Sequence, residues 1–183
     1  MKYNHKNELL DGNILLEKII FNFKKMLLKL IYTLFLGLLV ALFVGLGIDA
    51  FYPGPKAPDY PMELEITKAI PEEQEQSKET IKKYEAEMKI YEEAFKKYNR
   101  VVSMISLSFA IVIMIISLSF FSKIKMIADG VLLGGVFTTI YGIIRGLMSD
   151  DSRFRFLIVT VGLIIALVLG YIKFIRPKEK NNK

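Results

Sequence analysis

Hydrophobic and polar positions divide the chain into four long apolar runs, at 26–48, 101–122, 126–148 and 154–175. One long polar stretch and two short ones separate them. Each run is close to the roughly 20 residues that carry an α-helix across a hydrocarbon core about 30 Å thick. Inside them only Lys29, Asp129, Arg145, Arg155 and Lys173 are charged, all within a few residues of an end. A long side chain at such a position reaches the interface. In lipid the backbone must satisfy its own hydrogen bonds, so the runs are expected to be helices. The predicted fold class is an all-α integral membrane protein with four transmembrane helices. A long external hairpin-like helical projection is expected to continue into the second span.

The pattern before the first run has a helical period. Leu15, Leu16, Ile19, Ile20, Phe23, Met26 and Leu27 share one face, and Glu17, Lys18, Asn22, Lys24 and Lys25 share the other. Residues 1–25 thus read as an N-terminal segment with an amphipathic helix in the headgroup region. An early extension of the first span fits equally well. The run at 26–48 is too long and too far from the N-terminus for a cleaved signal peptide, so it is expected to remain as an anchor.

The long polar stretch has two parts. Residues 49–71 contain FYPGPKAPDYP, whose prolines favour an extended chain. PxxP occurs twice in it and reads as a rigid spacer. Met62, Leu64 and Ile66 then alternate with polar residues, an extended pattern with one apolar face. Residues 72–100 are strongly helical. Pro71 suits a first helical turn, and Glu79–Lys83, Glu85–Lys89, Glu92–Lys96 and Glu93–Lys97 stand four apart with the acid first. No breaker separates this part from the second span, so one rod is expected from about residue 72 to 122, ~75 Å long at 1.5 Å per residue. Along it Ile81, Tyr84, Met88, Tyr91, Phe95, Tyr98 and Val102 are alternately three and four apart, an a/d seam. Either a second copy's helix or the extended segment of the same chain can cover that seam. Tyrosine is a poor dimer-core residue, and residues 52–70 are long enough to climb the rod, which favours the intramolecular hairpin.

Small residues recur every four positions within the runs. The third has Gly130, Gly134, Thr138, Gly142 and Gly146; the first has Thr33, Gly37, Ala41 and Gly45; the fourth has Gly162, Ala166 and Gly170. Ser103, Ser106 and Ala110 give the second a weaker version. Burying apolar side chains offers helices in lipid little drive to associate. Close backbone approach supplies much of it, and small residues permit that approach. The stripes are therefore read as helix-packing surfaces. A hinge or ion path at Gly134–Gly135 is the alternative, but no proline interrupts any run.

Charge sets the expected orientation. The chain carries a formal net charge of +6. Lysine and arginine concentrate before residue 30, at Lys123–Lys125 and in the basic tail at 176–183, whereas 49–100 is richer in acids. The bias toward positive cytoplasmic segments places both termini in the cytoplasm of a cell membrane and 49–100 outside. The net charge invites a nucleic-acid partner, but this distribution points elsewhere.

The chemistry available is sparse. There are no cysteines, and the single histidine is in the N-terminal segment. No HExxH, no metal-ligand spacing and no serine placed with a base occur, so no catalytic, cofactor or metal site is expected. One constellation remains. Asp49, Arg145, Asp150, Asp151, Arg153 and Arg155 are expected to gather near the external interface, with Arg100 beside them. Salt bridges at the rim are the simpler reading, and a buried functional charge is the sharper one. Asp129 is expected to pair with Lys125, and the Tyr141 hydroxyl to bond a threonine or a backbone carbonyl. The expectation for function is a non-enzymatic structural, interaction or accessory subunit whose partners are the lipid bilayer and another copy or membrane protein. A small oligomeric channel or transporter is the alternative.

Overall fold

A computed structural model describes residues 2–61, 74–119 and 124–175. Four long helices follow one another: α1 (Lys2–Phe51), α2 (Gln74–Ser119), α3 (Lys125–Leu147) and α4 (Ser152–Gly170), the last running into a π-helical turn at Tyr171–Ile175. All four are long and apolar enough to cross a membrane. Helix is the only regular secondary structure among the described residues. The apolar alternation at Met62–Ile66, the expected start of the rod at 71–73 and the basic tail at 176–183 lie outside them.

α1 is a single helix of 50 residues. The turns carrying Leu16, Ile19, Ile20 and Phe23 are continuous with the first apolar run, and these side chains are exposed. The rod expected across the polar–apolar boundary is present: α2 spans 46 residues without a break, about 69 Å at ~1.5 Å per residue.

α3 is the hub. It packs closely against both α1 and α2, while α1 and α2 touch each other over a short length. α3 and α2 are antiparallel and are pinned by two serines. Ser103 Oγ donates to the carbonyl of Gly142 (2.6 Å), and Ser117 Oγ donates to that of Ala128 (2.7 Å). The two bonds lie at the same register, since stepping fourteen residues along α2 steps fourteen back along α3. Ser103, Ser106 and Ala110 are fully buried in this interface. Ser117, also buried, continues the same spacing beyond Ala110.

The five-residue stripe of α3 serves three neighbours: α1, α2 and, at Gly146, Ile158 of α4. Cβ atoms built at Gly130 and Gly134 would lie 2.7 Å from Leu36 and 2.5 Å from Val40, both on α1. At Gly142 and Gly146 they would instead meet Ser106 and Leu107 (3.2 Å each) and Ser103 Oγ (2.7 Å), all on α2. Residues four apart advance ~40° round a 3.6-residue helix, so five of them turn through nearly half a circumference. Thr138, at the midpoint, is buried and donates to Gly134 O within its own helix (2.8 Å). A Cβ at Gly135, one position off the stripe, would meet Met114 (2.7 Å) and the Ala110 carbonyl (3.3 Å) of α2. Both glycines once read as a possible hinge therefore sit in close contacts within an unbroken helix.

The stripes of α1 and α4 are used only in part. A Cβ at Gly37 would lie 3.1 Å from Leu133, and one at Gly162 would lie 2.6 Å from Ile143. A Cβ at Gly45 or Gly170 would have nothing within 4 Å, so within this chain those positions face no close neighbour. Ala41 is only half-buried, and Val40 beside it makes the contact with Gly134.

Near Tyr98 the three helices converge. Val44 and Ile48 of α1 join Tyr98 and Val102 of α2 in one buried cluster, with Tyr141 of α3 against it. Beyond it the chain from Tyr52 to Tyr60 runs back along α2. Tyr52 stacks on Tyr98 (centroids 5.4 Å apart), and the Tyr60 edge meets Tyr84 (5.5 Å). Eight extended residues at ~3.1 Å cover about 25 Å, matching the ~21 Å of fourteen helical residues.

Candidate functional site

The predicted charge constellation forms at the end of the bundle where α3 turns into α4, and it divides into two groups. The first is a clamp between that turn and α2. Asp150 takes a left-handed backbone conformation (φ 43°), which reverses the chain between the helices. Its carboxylate accepts from Lys96 Nζ (2.7 Å) and lies 3.6 Å from Arg155. The Lys96 ammonium pulls the Asp150 carboxyl below its usual range, and the same bond raises the Lys96 ammonium. Asp151 does two things at once. Its side chain caps α4 by accepting from the backbone N–H groups of Arg153 (3.0 Å) and Phe154 (3.3 Å), and it lies 3.6 Å from Arg100. The Arg100 guanidinium sits over the Phe154 ring, 4.7 Å from its centroid. An aspartate just before an apolar run is the sequence signal for such a cap, a role beyond the charge expected of Asp151.

The second group surrounds Arg145. Its Nε donates to the Tyr141 hydroxyl (3.1 Å), and Nη1 donates to Asn99 Oδ1 (3.0 Å). The guanidinium also lies over the rings of Tyr141 (5.3 Å) and Tyr98 (5.8 Å). Asn99 is fully buried and is oriented by its own amide, which donates to the carbonyl of Phe95 (2.9 Å). Among the described residues no carboxylate lies within ion-pair distance of Arg145, so neutral oxygens and aromatic faces hold the cation. Such faces attract a desolvated guanidinium. The Tyr141 hydroxyl accepts from this arginine, a different partner from the threonine or carbonyl expected. Asn99 carried no signal in the sequence, because an asparagine in a solvated-looking helix gives no hint of burial.

Asp49 and Arg153 are exposed and stand outside both groups' ion pairs. At the opposite end of the bundle Asp129 bonds Lys173 of the π-helical turn rather than Lys125. Tertiary packing overrides the local spacing there, because α4 returns antiparallel beside α3. The aromatic seam grows more buried toward the bundle: Ile81 is 40 % exposed, Tyr84, Met88, Tyr91 and Phe95 are intermediate, and Tyr98 is 7 % exposed. Tyr91 and Phe95 stack on each other at 5.7 Å.

Among the described residues no group of three histidines, cysteines, aspartates or glutamates is close enough to hold a metal ion. Comparison with protein-family models, with curated proteins and with solved structures gives no match to this chain.

Proposed function

We propose that this chain is a four-span membrane protein that acts by docking rather than by catalysis, as an accessory or assembly subunit whose contact element is the helical projection formed by residues 49–100. The observation that carries this reading is the continuity of α2. It leaves the three-helix junction at Tyr98 and runs on to Gln74, about 36 Å at ~1.5 Å per residue. Phe95 and Lys96 at the projection's base join the bundle's cluster and clamp, and the helix runs on well beyond them. The clamp made by Asp150, Asp151, Lys96 and Arg100 supports the same reading, because it fixes the angle at which the projection leaves. Ile81 and Ile90 are exposed on it, which leaves apolar surface for a partner helix or a second copy. With both termini cytoplasmic, the projection stands outside the cell membrane.

The test is purification of the full chain in mild detergent from its native membrane, with identification of what accompanies it. A defined companion that is lost when Ile81 and Ile90 are both changed to Lys supports the proposal. An intact monomer with no companion, or a companion indifferent to those changes, counts against it.

The Arg145 group favours a second reading, a small channel or transporter for anions. A cation inside a span, held by neutral partners, is a functional candidate. Flux in proteoliposomes that Arg145→Ala abolishes would select this reading over docking.

A further inference from the structure

At the lysine end of the bundle, α1 and α4 flank α3 with almost no contact between them. The gap is a groove of about 440 Å³, within the roughly 300–1,000 Å³ of known ligand sites. Thr33 of α1, Leu133 and Val136 of α3, and Ala166, Leu169 and Gly170 of α4 line it. The small residues Ala166 and Gly170 leave room that larger ones would occupy; a Cβ at Gly170 would meet nothing within 4 Å. The charged end of the groove is Asp129 and Lys173, which bond each other and so cancel. Two further lysines stand one turn beyond. Lys29 precedes Thr33 by four residues and Lys125 precedes Asp129 by four, so each shares the groove-facing side of its helix. Both are exposed, and neither makes an ion pair among the described residues.

An apolar slot opening on two lysines that make no ion pair among the described residues has the polarity of an anionic amphiphile. We propose that the groove binds an anionic phospholipid, with one acyl chain between α1, α3 and α4 and the phosphate held by Lys29 and Lys125. Apolar cavities do not hold water, and hydrocarbon is the material at hand where the slot lies. Basic pockets between membrane helices on the cytoplasmic side take acidic headgroups. The lysine end faces that leaflet in the orientation set by the distribution of lysine and arginine.

The experiment uses the full-length chain in mild detergent, with phosphatidylglycerol, phosphatidylcholine or inorganic phosphate added, and reads melting temperature and lipid retained in native mass spectrometry. Phosphatidylglycerol should be retained and raise the melting temperature, with phosphatidylcholine weaker by about tenfold or more and phosphate without effect. Gly170→Leu fills the slot at a position where the fold has space. It should keep the lipid-free melting temperature and lose the lipid-induced rise; Ala166→Leu is the second variant of this kind. Changing both Lys29 and Lys125 to Gln should remove the preference for phosphatidylglycerol while leaving a weak, headgroup-blind response. An undiminished rise in Gly170→Leu and Ala166→Leu would overturn the groove assignment. Equal retention of the two lipids by the unaltered chain, or an equal rise with phosphate alone, would overturn the headgroup assignment. A dimer that Gly170→Leu dissociates, with no lipid retained, would make a second copy the occupant and overturn the proposal.

Discussion

A Cβ at Gly134 would sit 2.5 Å from the Cβ of Val40, whereas one at Gly45 would meet nothing within 4 Å. Alanine therefore has opposite consequences at two glycines that look alike in sequence. Gly134→Ala should lower stability by about 1–3 kcal/mol, the usual cost of overpacking. Gly45→Ala should raise it by up to about 1 kcal/mol, because alanine is the better helix former. Thermal unfolding in detergent measures both, and shifts of the same sign would show that close approach is not what Gly134 provides. Asp150 gives a second test. Asparagine tolerates its left-handed backbone, so Asp150→Asn removes the charge and keeps the turn. Because the folded carboxyl titrates below its ordinary 3.8, its contribution is present above that value and lost as pH falls through the lower folded one. The raised Lys96 contributes below its ordinary 10.5 and titrates only in strong alkali, outside this window. The melting temperature of the unaltered chain should therefore fall as the pH drops below about 3.8, and that of Asp150→Asn should stay flatter. The difference should be small, since both partners are exposed to solvent.

Elements rather than residues decide how the aromatic seam is covered. The contacts Tyr52–Tyr98 and Tyr60–Tyr84 align the proline-rich segment antiparallel to α2, so a bifunctional thiol reagent long enough to replace the two rings should join cysteines at Tyr60 and Tyr84 within one chain. The chain has no cysteine of its own, and a single cysteine at Tyr91 should give little disulfide-linked dimer on a denaturing gel. Efficient dimer at 91 without the intrachain crosslink would assign the seam to a second copy. The seam and the unbroken rod were legible because period and breakers are local properties of the sequence. The split allegiance of the α3 stripe was legible only as a drift of ~40° per step. Which neighbour each glycine meets depends on where α1 and α2 stand, and nothing local encodes that. The same limit explains Asp129, whose partner Lys173 lies 44 residues away and not at the local position four before it.

For the whole molecule the arrangement of four helices followed from length and hydropathy, and the orientation rests on the distribution of lysine and arginine. Single cysteines near Gly12 and Asn181 should resist an impermeant thiol reagent in intact cells, and one at Lys78 should react. The reverse pattern would invert the topology. The clamp at the α3–α4 turn was only half legible. Its acids and Arg155 were grouped in advance, but Lys96 entered as a helix-surface residue, and Asn99 became visible only when burial placed it against Arg145.

The hub position of α3 also bears on how the protein is made. Spans leave a ribosome-bound insertion channel in order, and the first two find little surface on each other. In the four-span membrane protein proposed above, they would wait in the bilayer until the third arrives and brings Gly130, Gly134, Gly142 and Gly146 to both. A nascent chain halted before α3 should therefore be an orphan for membrane quality control, degraded quickly whatever the hydropathy of its two helices. One halted just after Leu147 should persist. Pulse-chase of the two truncations compares their lifetimes, and equal survival would mean that α1 and α2 assemble without the helix between them.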